Sequence, residues 1–408
     1  MINIVVLNGG RGAGTLIPSL LNIKGVNLTS IVNAYDDGKS TGAIRNFFGM
    51  LGPSDIRKVQ ELMLPRNDPN YNDHLHLFTY RYPENTPHTS AISEIDSFIN
   101  GDSNELVGII IKDPNVLSAL KIFLKEFAES LKLIEKLEGS QFNFSDCSIM
   151  NCIYAGAFLA SGRNIEEAAS YIGKLFNLDG SVLSTSIEDK KLMAIRENGE
   201  VLYNEADIVE LRSNVKIERI FLLDKYLNKK NFDNLTFDEK IYYLKKHQSY
   251  TSASNGVTNA LQQADIIIYS AGTQHSSLYP TYLLSGLAEA IADNQGATKI
   301  FITNIGADYE TPTYKASDYL IGAFRYLNLS DNRNYLISEL FNSILVNKSN
   351  FKTDESYVEF DESNFRDIKI NLVIDEFESQ SDPGKHDGKK LTEVILQLFK
   401  SNKFIGSS

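Results

Sequence analysis

The chain has 408 residues, 42% apolar and 23% charged, a composition that buries a full hydrophobic core and excludes disordered, collagenous and disulfide-stapled miniature folds. Lys and Arg total 40 against 52 Asp and Glu, and the formal charge of -12 repels phosphate backbones and anionic membranes, so non-specific nucleic-acid binding is not expected. A small anionic ligand stays compatible, because a few helix N-termini and a cation or two bind phosphate inside an acidic protein. Cys147 and Cys152 are the only cysteines and make no disulfide framework, which points to a reducing, cytoplasmic setting. Residues 1–7 lack the basic start of a secretory signal, and no apolar stretch reaches the ~18 residues of a membrane span.

Residues 2–7 read as a buried strand, apolar but for Asn3, that runs into Asn8-Gly9-Gly10-Arg11-Gly12-Ala13-Gly14. A helix over 15–22 carries Leu16, Ile17, Leu20 and Leu21 on one face, and a strand over 28–34 ends in Tyr35-Asp36-Asp37-Gly38. This is the opening βαβ of a doubly wound sheet. Residues 60–140 and 220–255 read as helical insertions; their stretches 117–137 and 222–246 are helical in pattern, the second broken at 228–231, and are candidates for a lid or a homo-oligomer contact. Between them, 164–177 is a helix capped by Asn164, and Asn198-Gly199 joins 191–195 and 201–203 as an antiparallel hairpin. A strand over 264–269, the loop Ser270 to Ser277, a helix over 279–293 and a strand over 299–305 repeat the βαβ pattern. Residues 340–408 form a C-terminal extension completing the fold, with 376–390 polar enough to be a mobile loop. The expected architecture is one α/β domain over 1–408: a Rossmann-like, doubly wound, mostly parallel sheet with helical insertions and an antiparallel hairpin. In such sheets the loops after Leu7, Ala34, Tyr269 and Asn304 can build one crevice.

The first glycine loop, ending in Thr15, suits close approach to a phosphate, although Thr15 breaks the dinucleotide fingerprint and no P-loop Lys follows; a plain tight turn is the alternative. Asp36 and Asp37 end a strand where acids bond ribose hydroxyls or hold a divalent ion, with Lys39, Ser40 and Thr41 directly behind; an Asx turn has the same composition. Pro53-Ser54-Asp55-Ile56-Arg57 reads as a helix start in which Asp55 binds metal and Arg57 phosphate, or in which Ser54 or Asp55 is a simple cap and Arg57 a surface residue. His74-Leu75-His76 has no third ligand nearby and reads as loop or lid, and His275 beside Ser276 has no Gly-x-Ser-x-Gly elbow to make it part of a triad. Cys152 reads as a packed thiol.

Taken in order, these motifs resemble the CofD-like family, which includes 2-phospho-L-lactate transferases and the YvcK-type gluconeogenesis and cell-shape factors. Asn8-Gly9-Gly10-Arg11-Gly12 stands where the family has Gly-Gly-Gly-Thr-Gly, and Asp36 to Arg45 where it has Asp-Asp-Gly-Gly-Ser-Ser-Gly-Arg-Leu-Arg. Pro53-Ser54-Asp55-Ile56-Arg57 follows its Pro-Gly-Asp-Ile-Arg, Ser148 to Asn151 sits at its Gly-Asn segment, Ala271 to Ser277 at its Pro-Gly-Ser-Leu-Tyr-Thr-Ser loop, and Thr303-Asn304 at its Cys-Asn strand end. The Pro-x-Asp-Ile-Arg form and His386-Asp387 are similar to the YvcK branch, which holds a UDP-sugar as a regulatory ligand. That reading makes the chain a nucleotide- or nucleotide-sugar-binding protein. The alternative is a metal-dependent transferase moving a phospho-hydroxy-acid group from a nucleoside diphosphate to an alcohol. In it, catalytic residues at the positions of Asp37 and Asp55 hold Mg²⁺ against the diphosphate. The resemblance further implies phosphate or nucleotide contacts from Gly9, Gly10, Arg11, Gly12, Thr15, Asp36, Lys39, Ser40, Arg57, Asn151, Gly272, Thr273, Ser276 and Asn304. Arg11 and Lys39 depart from the family pattern and would add positive charge there.

Overall fold

The computed structural model describes residues 1–331, 333–348, 356–366 and 368–405, apart from the side chains of residues 11, 39 and 403–405. The first unit is β1 (Ile2–Asn8), a single 3-10 turn Gly10–Ala13, α1 (Leu16–Leu21) and β2 (Val26–Val32). Then come α2 (Lys39–Phe48), α3 (Ser54–Leu62), α4 (Tyr71–Thr79), α5 (His88–Asn100), the short pair β3 (Glu105–Leu106) and β4 (Ile109–Ile110), α6 (Pro114–Glu138), α7 (Ile149–Ala160) and α8 (Ile165–Leu175). The middle of the chain holds β5 (Ser181–Ser184), β6 (Lys191–Arg196), β7 (Val201–Leu202), α9 (Glu205–Glu210) and β8 (Ile217–Leu223). The remaining strands are β9 (Ile266–Tyr269), β10 (Thr298–Ile302), β11 (Ser343–Asn347) and β12 (Asn371–Asp375).

Seven of these strands form one parallel sheet in the order β12-β11-β10-β9-β1-β2-β5. The chain winds outward from β1 through β2 to β5, returns at β9 beside β1, and winds the other way. The topological switch point therefore lies between β1, where Leu7 pairs with Tyr269, and β9. Helices cover both faces of this sheet, so its inner strands are apolar on both sides. Ile4, Val6, Ile31, Ile268 and Ile300 are all fully buried, each contributing on the order of 1.5–3 kcal/mol relative to exposure.

The antiparallel hairpin is present as β6 and β7, extended by β8 on the other side of β6. Gly199, at φ 82°, makes the tight turn. Met193, Ile195, Phe221, Leu223 and Leu244 form a second, small core beneath it. Asn164 caps α8 by accepting from the N–H groups of Glu166 and Glu167. Asp113 does the same for α6, aided by Pro114 at the first turn.

Three expectations need correction. The helix over 279–293 is broken into Tyr279–Tyr282 and Leu287–Asp293, because Gly286 adopts φ 82° and Asp331 draws Ser285 and Gly286 away, accepting from the Ser285 hydroxyl at 3.1 Å and the Gly286 N–H at 2.9 Å. The stretch 222–246 begins as the end of β8, makes a 3-10 turn at Lys229–Phe232, and becomes an α-helix only at Phe237–His247, started by a Thr236–Glu239 capping box. The 376–390 loop is tied down: Glu378 bridges His386, its carboxylate accepts from Gly384 N–H at 2.7 Å, and the Thr15 hydroxyl donates to the His386 carbonyl at 2.9 Å. Among the described residues no helix is long and apolar enough to cross a membrane.

Candidate functional site

The turns at the carboxyl ends of β1, β2 and β9 meet around a cavity of about 370 Å³, walled by Gly9, Asp36, Gly38, Ser40, Thr41, Ser54, Asp55, Thr273 and Ser276 together with Lys58, Arg81, Glu205 and Glu310. A second cavity, of about 640 Å³, shares Gly9, Lys58 and Thr273 as walls and continues past Gly12, Thr15, Gly272, Asn304 and Asp308 to Asp382, Lys385 and His386. The two adjoin at the switch point of the sheet.

The glycines of the first loop are demanded by packing. A Cβ on Gly9 would overlap Ser277, one on Gly12 would overlap the Ala271 carbonyl, and one on Gly10, whose φ is 68°, would stand 2.6 Å from Asp55 Oδ1. The loop is thus clamped between the start of α3 and the loop after β9. The Arg11 and Lys39 side chains lie outside the described atoms.

At the acidic turn, Asp36 Oδ1 accepts from Gly38 N–H at 3.1 Å as an Asx turn, while its other oxygen accepts from the Thr41 hydroxyl at 3.4 Å. Asp37 points elsewhere: its carboxylate sits 3.7 Å from Arg45 Nη1 and accepts from the Tyr226 hydroxyl, and it walls neither cavity. Arg45 is fully buried and braces the turn from behind, donating to the carbonyls of Tyr35 at 3.0 Å, Asp36 at 3.1 Å and Lys190 at 2.9 Å and pairing with Asp189 at 2.6 Å.

Helix α3 starts at Ser54 behind Pro53, and neither Ser54 nor Asp55 caps it. Ser54 Oγ instead bonds Thr41 Oγ1 and accepts from Asn151 Nδ2 at 3.2 Å, so Asn151 reaches the cavity through the Ser54 and Ser40 hydroxyls. Asp55 meets the Lys58 ammonium at 2.9 Å, and Asp36 Oδ2 lies 4.0 Å from the same nitrogen. Arg57 is buried in the scaffold, donating to the Phe78 carbonyl and lying 3.8 Å from Glu61, and walls neither cavity.

On the facing wall, Asn304 holds both backbone groups of Gly272, accepting from its N–H at 2.9 Å and donating to its carbonyl at 3.1 Å. Glu310 accepts from the N–H groups of His275 and Ser276, both at 3.0 Å, and from the Ser276 hydroxyl. Thr273 donates to Ser277 Oγ at 2.9 Å.

Burial sets the charge state of this acidic pocket. It is the main cause that raises the Glu205 carboxyl to about 9, with the Asp36 charge second, and that raises Glu310 to about 7, with Asp308 second. Asp36 is raised as well, first by burial and then by Asp55. Lys58 is held as an ammonium, chiefly by Asp55. Arg81, paired with Asp146 at 2.6 Å and 3.3 Å from Ser40 Oγ, is the second cation of the first cavity.

A divalent ion bridging Asp36 and Asp55 would have to displace the Lys58 ammonium, which already stands against both. Among the described residues no three His, Cys, Asp or Glu side chains converge as metal ligands. His74 and His76 lie on α4, not in a loop: His74 packs edge-on against Phe176 and His76 Nε2 bonds the Val107 carbonyl at 2.9 Å. Cys147 and Cys152 are buried free thiols.

Lys58, Arg81, Glu205 and Glu310 escaped sequence reasoning. Lys58 stands three residues after Asp55 on one helix face, a spacing that is readable. The other three arrive from distant segments with no local pattern to mark them.

Together these features define a doubly wound α/β protein with polar cavities at the switch point of its parallel sheet. The chain belongs to the CofD family: the family profile described as 2-phospho-L-lactate transferase CofD matches residues 4–378. The gluconeogenesis factor of Listeria monocytogenes is 24% identical over 399 residues, covering 97% of this chain and 95% of that one. That of Halalkalibacterium halodurans is 23% identical over 397 residues, covering 97% and 96%. A solved Bacillus halodurans structure, described as a member of the UPF0052 family, superposes with a TM-score of 0.65 at 22% identity over 97% of this chain and all of that one, which shows the shared fold.

Proposed function

We propose that the cleft binds a nucleotide or nucleotide sugar of the UDP-sugar kind, and that the chain, similar to proteins named gluconeogenesis factors, acts as a ligand-responsive factor. The observation that carries this reading is the pairing of two cavities, about 370 and about 640 Å³, through shared walls at Gly9, Lys58 and Thr273. Their sizes are those of small-molecule sites. On this reading the diphosphate sits at the junction, where the N-termini of α2 and α3, the Ser40 hydroxyl, Lys58 and Arg81 are the donors on offer. Asp308 and Asp382 in the larger cavity are acceptors suited to ribose or sugar hydroxyls.

Five carboxylates around the smaller cavity, Asp36, Asp55, Glu205, Glu210 and Glu310, would repel a diphosphate if all were charged. The raised carboxyls of Glu205 and Glu310, and the Lys58 partner of Asp55, remove much of that repulsion near neutral pH. The reading is tested by thermal shift against a panel of UDP-sugars, GDP and other nucleotides, with and without Mg²⁺. A ligand at a hundred times its dissociation constant adds roughly 2.7 kcal/mol of stability. A shift from a UDP-sugar with no product in any acceptor assay supports a regulatory ligand. Mg²⁺-stimulated release of a nucleoside monophosphate would instead assign a 2-phospho-L-lactate transferase-like activity, and silence across the panel would remove both.

A further inference from the structure

We propose that Lys58 is the built-in counter-cation of this cleft: its ammonium occupies the place between Asp36 and Asp55 where a divalent ion would sit, so the protein receives a diphosphate without a metal. The inference rests on the ligand reading above for the diphosphate, but the position of Lys58 is independent of it.

Three observations converge on this residue. The ammonium stands 2.9 Å from Asp55 Oδ1 and 4.0 Å from Asp36 Oδ2, so both carboxylates already face a positive charge. Lys58 is a wall of both cavities, which puts it where a ligand spanning them must pass. A Cβ on Gly10 would stand 2.6 Å from Asp55 Oδ1 and 3.3 Å from Lys58 Cδ, so the first glycine loop passes close over the pair.

The chemistry favours such a substitution. Mg²⁺ in phosphate sites is usually held by one or two carboxylates plus the substrate oxygens, and what it supplies is mainly charge neutralisation and positioning. A lysine ammonium on a four-carbon stem, with three donors, supplies both as a point charge and can turn from a carboxylate to a phosphate oxygen by small stem rotations. It cannot polarise a leaving group as a divalent ion does, which fits a cleft that holds a nucleotide sugar better than one that cleaves it.

The full-length protein is titrated with Mn²⁺ while free aquo-Mn²⁺ is followed by electron paramagnetic resonance, as wild type, Lys58→Arg, Lys58→Met, Lys58→Gln and Lys58→Met/Asp55→Asn. The wild type and Lys58→Arg should leave the Mn²⁺ signal unchanged, whereas Lys58→Met or Lys58→Gln should take up a single ion and the double variant should lose it again. In parallel, UDP-glucose affinity of the wild type should change less than about threefold when EDTA replaces Mg²⁺, and Lys58→Met should weaken about tenfold in EDTA and recover in Mg²⁺. Mn²⁺ uptake by the wild type that a single Asp55→Asn variant abolishes would overturn the proposal, as would failure of both neutral variants to gain an ion. Failure of UDP-glucose to bind in every arm would count against the ligand reading, and the Mn²⁺ titration would still decide the role of Lys58.

Discussion

Asn304 holds Gly272 by both of its backbone groups, the carboxamide oxygen taking the N–H at 2.9 Å and the carboxamide nitrogen giving to the carbonyl at 3.1 Å. The end of β10 thereby fixes the loop after β9, and with it Thr273 and Ser276 on the cavity wall. Asn304→Ala leaves two part-buried backbone groups without this partner and should cost ~1–3 kcal/mol in denaturant unfolding. UDP-sugar affinity should fall with it. Asn304→Asp, which keeps the acceptor but turns a carboxylate oxygen against the Gly272 carbonyl and adds negative charge to the cleft, should lose at least as much as alanine in both measurements.

The glycine at position 10 separates packing from ligand contact. Gly10→Ala must place a methyl 2.6 Å from Asp55 Oδ1 at a φ of 68°. The backbone strain and the overlap together should cost roughly 1–3 kcal/mol. The melting temperature should therefore drop without any ligand present. A variant that melts like wild type and loses only ligand binding would show that the loop is held open for phosphate and not by its neighbours.

The buried carboxyls make stability fall with rising pH. Glu205 and Glu310, raised to about 9 and about 7 mainly by burial, keep protons in the folded state that the unfolded chain releases near the ordinary value of 4.5. The stability linked to those protons is complete below that ordinary value and is lost as pH climbs through the two folded values. Buried His275 and His386, lowered to about 3 and about 4 by burial, gain stability as pH rises toward their ordinary 6.5 and offset the carboxyls there, so the ligand-free melting temperature should decline chiefly between about pH 6.5 and about pH 9, by up to about 1.4 kcal/mol of stability per pH unit for each carboxyl still titrating. Glu205→Gln should flatten the upper part of that decline, and an unchanged slope would contradict the assignment.

Arg45 is the structural brace of the acidic turn. Its guanidinium is fully buried between Asp37 at 3.7 Å and Asp189 at 2.6 Å while it donates to three backbone carbonyls. Arg45→Met strands those partners, and urea unfolding should report a loss of ~3–5 kcal/mol. Arg45→Lys should recover only part of it, because one ammonium cannot span the same set of acceptors.

Much of the fold was legible because strands covered on both faces, such as β1, β2, β9 and β10, appear as apolar runs punctuated by Gly, Asp and Asn. Asn164 and Asn198-Gly199 were legible for a related reason, since caps and tight turns are local chemistry. The break at Gly286 was not, because it depends on Asp331 reaching across from another segment. The same holds for the cavity wall. Asp36 and Asp55 announce themselves by position after a strand and at a helix start, but the turn of Asp37 toward Arg45 and Tyr226, and the arrival of Glu205, Arg81 and Glu310, are set by tertiary packing.

The most direct test of the proposal that the cleft binds a nucleotide sugar is backbone hydrogen–deuterium exchange with and without saturating UDP-glucose. Slowed exchange confined to residues 9–15, 38–41, 54–58 and 272–277, with 382–386 joining them, is the predicted result. Protection that falls elsewhere on the protein, or melting and exchange that are indifferent to every nucleotide sugar offered, would contradict it.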